Sequence, residues 1–369
     1  MWTRILALVK KELIALLKDR KSRTVIIVPP IVQLLVFGYA ATYDLTHIPF
    51  ALYLEDSGMW GRVLAEHISG SPHFDLVSTI TRDAEIAPLL DRKRALMVIR
   101  IGPQFSRELS RAGATAIQVL VDGRNSNTAL LALSYIRTIV QQFNAQWAAS
   151  QGLPLPPARL DIRPWFNPNL DSQWFIVPGI VGLLTMVVTI LVTALSVARE
   201  REQGTFEQLL VTPLRPVEIL LGKTLPGFLI GLGEATLIII VARWWFQVPL
   251  VGDLPGLYLG LTLFLLSGLG VGLMISSLAV TQQQGLLGAF VFLVPAIILS
   301  GFATPIANMP VVVQQLTLFN PMRYFMVILR GVFLEGLPRE VLVTQCWPMG
   351  LIGIVTLCIA GWLFRHRLS

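Results

Sequence analysis

Six apolar stretches punctuate the chain, at 24–44, 172–198, 224–242, 255–280, 283–301 and 341–364, and polar residues gather at their ends. Each is close to the ~20 residues that a helix needs to cross a hydrocarbon core of about 30 Å. Residues 172–198 carry no charge, and neither does the 69-residue run 254–322. That run is too long for one helix, so the polar TQQQ turn at 281–284 splits it into a fourth and a fifth span. Residues 302–340 then hold two short helix-like pieces, after Pro310 and after Pro321, that are too short to cross. They read as re-entrant helices, which are tolerated where protein covers the backbone.

Two other stretches follow different periods. Residues 1–23 interleave seven Lys/Arg with Ile5, Leu6, Val9, Leu13, Ile14, Leu16 and Leu17 against two acids, the pattern of a basic amphipathic helix on a membrane surface. A secretory leader is the rival, but the apolar run that follows is span-length and has no A-x-A site, so 24–44 reads as a retained first span bent at Pro29 and Pro30. Residues 45–171 alternate apolar strand-like runs at 48–54, 74–80, 95–101, 115–121 and about 158–164 with helix-like segments near 59–69, 82–93, 103–111 and 126–150. Such alternation predicts an α/β domain with a small mixed sheet.

Composition and charge then orient this plan. The chain of 369 residues is 54% hydrophobic and 14% charged, with a mean hydropathy of +0.67, which excludes an ordinary soluble domain. Its net charge of +7 sits at the ends of apolar runs rather than in one patch, so it reads as a topology signal and not as a nucleic-acid surface. Basic residues before the first span place the N-terminus in the cytoplasm; 45–171 is then periplasmic, 199–223 a cytoplasmic loop, and 365–369 a cytoplasmic tail. Cys346 and Cys358 fall on one predicted helix, roughly 18 Å apart by helical rise, and cannot bridge each other.

The loop 199–223 is the densest polar segment between two spans. Thr205 and Gln208 make a capping box, so a helix is expected from Thr205 after Gly204, with Phe206, Leu209 and Leu210 on its apolar side and an end before Pro213. Pro216 can open the helix that leads into the third span. Its charges balance: Arg199, Arg201, Arg215 and Lys223 against Glu200, Glu202, Glu207 and Glu218. A helix built only for anionic lipid is more basic, so this one suits a protein partner as well as a headgroup layer. Within the spans, Glu234 lies some ten residues into the third, where a carboxyl must be neutral, paired or facing water. It could meet a cationic substrate, carry a proton, or be a neutral acid bonded to a neighbouring helix. Arg323 and Arg330 are seven apart on the helix after Pro321 and fit either an outer gate or lipid phosphate. Gly268 and Gly272 form a GxxxG pair for helix packing.

No G-x-x-x-x-G-K-[ST] occurs, so no P-loop cradles a nucleotide. His47, His67, His73 and His366 lack ligand spacing, and neither a metal site nor a catalytic nucleophile is predicted.

Several long segments resemble the ABC-2 type exporter permeases of the inner-membrane multidrug kind. They are ARERE-QGT and QLLVTPL in the loop with EILLGK after it, DGRNSN at 122–127, FNPNLDSQWFIVPG at 166–179, SSLAVTQQQ at 276–284, PAIILSGFATPIANMP at 295–310 and LTLFNPMRYF at 316–325. This resemblance implies a transmembrane subunit paired with a second permease chain, the same or a paralogue, and driven by cytoplasmic ATPase subunits that hold ATP and magnesium. It implies that the helix around Thr205, Phe206, Gln208, Leu209 and Leu210 docks on the ATPase, with the N-terminal helix beside it. Amphipathic or cationic small molecules are the expected cargo, and a periplasmic adaptor a further partner. Two rivals remain open: a secondary transporter coupled to H+ or Na+ through Glu234, and a membrane scaffold or sensor acting through its α/β domain.

Overall fold

The computed structural model describes residues 2–18, 20–40, 45, 47–124, 126–152, 166–167, 171–202, 204 and 216–366. It is mostly helical and divides into two compact units, residues 43–163 and the remainder.

The smaller unit is an α/β layer structure. Its strands β1 (Ile48–Leu54), β2 (Phe74–Thr79), β3 (Met97–Ile101) and β4 (Gln118–Val121) form one sheet in the order β2-β1-β3-β4. β1 runs parallel to β2 and β3, whereas β4 is antiparallel to β3, so the sheet is mixed. Alternation along β1 explains the layers. Ile48, Phe50 and Leu52 join a core with α3 (Met59–Ser69), α5 (Phe105–Ala112) and α6 (Ser126–Ser150), while Ala51 and Tyr53 face α4 (Ile86–Asp91). Helices α3 and α5 lock each other's first turns: Ser106 Oγ accepts from the amides of Trp60 and Gly61, and Asp56 accepts from the Ser106 amide. The strand expected at about 158–164 lies outside the described residues.

The larger unit is a helical bundle. Helix α1 (Trp2–Lys18) buries Ile5, Leu8, Val9 and Leu16 and exposes Trp2, Leu6 and Ile14, as its amphipathic period requires. It is not only a surface helix, because Leu8 fills the space left by Gly222 and Leu16 packs with Val188, Val192 and Ile230. Helix α2 (Arg20–Ala40) is continuous through Pro29 and Pro30. The longest and most buried helix is α7 (Ser172–Glu202), with 78% of its most apolar window inside the bundle. Around it stand α8 (Pro216–Trp244), α9 (Leu254–Leu278), α10 (Gln282–Ile298) and α13 (Arg339–His366).

Among the described residues, four helices are long and apolar enough to cross a membrane: Ser172–Glu202, Val217–Trp244, Leu254–Leu278 and Arg339–His366. The stretches Ile27–Tyr39 and Gln282–Ile298 are apolar but shorter. The third apolar run thus belongs to a helix that already starts at Pro216. The break in the 69-residue run falls at 279–281 rather than across the TQQQ turn, because Thr281 Oγ1 accepts from the Gln284 amide while the Gln284 side chain accepts from the Val280 amide. Short helices α11 (Val311–Leu316) and α12 (Pro321–Arg330) occupy the segment before α13. A cap from Asn320 to the Met322 amide starts α12, and the same side chain donates to the Ala296 carbonyl of α10. A Cβ at Gly272 would collide with Thr193, and one at Gly268 would lie 3.5 Å from the Thr189 methyl, so the GxxxG pair seats α9 against α7.

Candidate functional site

The polar loop between α7 and α8 has two roots, and their geometry is the most elaborate in the bundle. Just past the end of α7 stands Gly204, whose φ of 70° is left-handed and whose amide bonds the Arg201 carbonyl, a glycine stop that a Cβ would strain. The expected docking residues Thr205, Phe206, Gln208, Leu209 and Leu210, with Arg215, lie outside the described residues. Their flanks are described. Arg199 is half-buried and Glu202 exposed, but Glu200, Glu218 and Lys223 are buried within the chain. Glu200 and Lys223 turn inward and form ion pairs within the chain.

Lys223 on α8 is the centre. Its Nζ lies 3.1 Å from Glu12 Oε1 on α1 and 2.6 Å from Glu200 Oε2 on α7, with the side chain 1% exposed. Glu200 Oε1 also meets Lys11 Nζ at 3.1 Å. Two acids and two bases thus cancel in one quartet. Cancellation is what such burial demands, since an unpaired buried charge costs several kcal/mol. The next two residues of α7 reach elsewhere. Arg201 donates to the carbonyls of Ser277 and Ala279, which end α9, and Glu202 accepts from the Gln282 amide, which opens α10. Glu12 and Lys11 escaped the sequence reading, although Glu12 had a signal: it is the one acid in the stripe Ile5, Leu8, Val9, Leu16.

Glu234 sits one turn beyond Gly231 on α8. A Cβ at Gly231 would lie 2.6 Å from Thr189 Oγ1 and from Leu265, and one at Gly227 would lie 2.9 Å from Thr193 and Leu269, so this face of α8 packs on α7 and α9. The antiparallel step, four residues for four, sets Thr185 level with Ala235, the residue after Glu234. Among the described residues, neither carboxyl oxygen of Glu234 has a hydrogen-bond partner, and both are enclosed; the same holds for the hydroxyls of Thr185 and Thr189. Nothing in the sequence singles out Thr185 or Thr189; the pairing of α7 with α8 does.

Arg323 and Arg330 part company. Arg323 donates to Thr317 Oγ1 and to the Gln314 carbonyl, tying α12 to the segment before it. Arg330 lies over the ring of Phe175 on α7 and reaches the Gly301 carbonyl. In the smaller unit, Asp122 and Arg124 of the DGRNSN segment form an ion pair at 2.7 Å, and Arg124 also donates to the Leu90 carbonyl at the end of α4. Hydrogen bonds from Arg124 lower the Asp122 carboxyl to about 2. The fork of Arg100 on Glu55, at 2.7 and 3.2 Å, likewise holds that carboxyl below its ordinary range.

A bundle of apolar helices with an α/β unit inserted after its second helix, and a polar loop rooted in buried charge, defines a membrane transport subunit. The chain belongs to the ABC-2 family of transporter proteins, whose sequence profile matches residues 21–362. It is 38% identical over 368 residues to the probable multidrug ABC transporter permease YbhR of Escherichia coli K12, covering 100% of both chains. The probable multidrug ABC transporter permease YbhS of the same organism is 37% identical over 352 residues, 93% of this chain and 92% of YbhS. The inner membrane transport permease YhhJ, also from that strain, is 30% identical over 363 residues, 97% of this chain and 96% of YhhJ. The chain is accordingly the permease subunit of an ABC exporter, a multi-pass membrane protein.

Proposed function

We infer that this permease moves amphipathic or cationic small molecules out of the cytoplasm or inner leaflet of a bacterial inner membrane, with ATP and magnesium bound by separate ATPase subunits. The full-length correspondence to relatives named as multidrug permeases carries the reading. Two permease chains, identical or paralogous, flank the pathway. Six spans cross the membrane, with α2 and α10 joining the four longer helices; both termini are cytoplasmic and residues 45–171 lie in the periplasm, where an adaptor protein can dock. The helix expected at Thr205–Val211 takes up the motion of the ATPase through Phe206, Leu209 and Leu210. The test is a pull-down of the ATPase with the chain, repeated after Phe206→Asp and Leu209→Asp. Loss of ATPase coupling supports the docking helix, and unchanged binding and coupling refutes it.

The unpartnered carboxyl of Glu234 favours one second reading, transport coupled to an ion gradient. Export that persists after ATP depletion and stops when the gradient collapses would establish that reading instead. A scaffold or sensor acting through residues 45–171 would keep its function when α8 to α13 are deleted.

A further inference from the structure

The two described roots of the loop between α7 and α8 carry its contacts into the bundle. At the first root three consecutive residues engage different elements: Glu200 holds Lys11 and Lys223, Arg201 the end of α9, and Glu202 the start of α10. At the second root, two turns into α8, Lys223 holds Glu12 and Glu200 together. Stability alone does not call for this arrangement, because apolar side chains of similar volume serve buried positions as well as or better than ions do. What ions add is direction. Contacts of 2.6 and 3.1 Å from one ammonium to two carboxylates fix α1, α7 and α8 in a single relative orientation, whereas apolar faces slide past one another.

We propose that the quartet Lys11, Glu12, Glu200 and Lys223, extended by Arg201 and Glu202, is the linkage that makes α1, α8 and the α9–α10 junction move with the loop as one body. These are positioning residues for energy coupling, and the assignment rests on the permease reading. They act inside the chain rather than on the ATPase surface. Helix α1, anchored by Glu12, is then a moving part of the transport cycle and not a passive float.

The test uses the complex of permease and co-purified ATPase in lipid nanodiscs. Spin labels at the exposed positions Leu6 on α1 and Ile354 on α13 report their separation by pulsed electron resonance, with and without trapping by ATP and vanadate. The variant E12L/E200L/K223M removes the three buried charges together, so none is left unpaired. Nucleotide trapping is expected to shift the distance in the wild type and in Lys223→Arg. In the triple variant the shift is lost, while ATP hydrolysis persists. A full shift in the triple variant, or none in the wild type, overturns the proposal. Should the triple variant fail to assemble, Arg201→Gln decides, because it leaves every buried charge of the quartet paired; a shift equal to wild type overturns the linkage. A wild-type chain that retains no ATPase counts against the permease reading itself.

Discussion

The guanidinium carbon of Arg330, at the end of α12, lies 4.1 Å from the ring centre of Phe175 in the first turn of α7. A cation over an aromatic face that is partly exposed, as Phe175 is, is worth about 0.5–1 kcal/mol. Phe175→Leu keeps the apolar bulk and loses the quadrupole. It is expected to lower the unfolding midpoint of the detergent-solubilised chain, with a loss of about 0.5–1 kcal/mol. An unchanged midpoint would make the stack incidental.

Glu12 and Lys11 are neighbours in sequence and opposites in burial, which separates their effects. Glu12→Ala leaves Lys223 with one partner in a dry site and should cost about 3 kcal/mol, whereas Lys11→Ala, with a side chain 55% exposed, should cost under about 1. Comparing thermal unfolding of the two variants measures this, and equal losses would contradict the assigned burial.

At Glu234 the physics predicts a gain in stability and a loss in function. Glu234→Leu removes two enclosed oxygens without partners, so the folded chain should gain about 1–3 kcal/mol. Glu234→Gln should reduce export of cationic compounds more than of neutral ones, read as dye efflux from proteoliposomes. Equal export of both classes would remove the residue from the pathway.

The smaller unit carries a stabilisation that acid removes. The Asp122 carboxyl, lowered to about 2 from 3.8, and that of Glu55, also lowered, contribute stability that is complete above the ordinary carboxylate range. The contribution of Asp122 is lost as pH falls from about 4 through about 2. Arg124→Ala abolishes its source. Pepsin digestion of the full chain should therefore cut within 43–163 at a higher pH in Arg124→Ala than in the wild type, and identical cleavage profiles would refute the link.

Ser106→Ala strips the shared acceptor from the first turn of α3 and should destabilise the smaller unit by about 1–2 kcal/mol. Faster proteolysis at Met59–Ser69, with no change inside the bundle, is the expected signature.

Much of the fold was legible because it follows from local periods. The uncharged run at 172–198 is α7 up to its last four residues, and the alternating runs at 48–54 and 74–80 coincide with β1 and β2. Proline and glycine positions were equally direct: α8 starts at Pro216, α12 at Pro321, and α7 stops before Gly204. Break points were less so. The turn between α9 and α10 sits earlier than expected because the Gln284 side chain folds back onto Val280, a contact that composition does not reveal.

The candidate site divided along the same line. By itself the sequence determined that Glu234 is an acid in an apolar helix and that 199–223 is a charged loop with a glycine stop, because both are statements about neighbours along one chain. It also carried the family, through long segments spread over nearly its full length. Only the tertiary structure decided where those charges point. Glu12 and Lys223 are 211 positions apart, Arg201 and Ala279 78, and no local period encodes which of several basic or acidic side chains will share a dry site. Helix packing chooses the partners: Gly222 lets Leu8 approach α8, that approach carries Glu12 to Lys223, and the desolvation of three charges then requires the pairing that joins the loop's two roots.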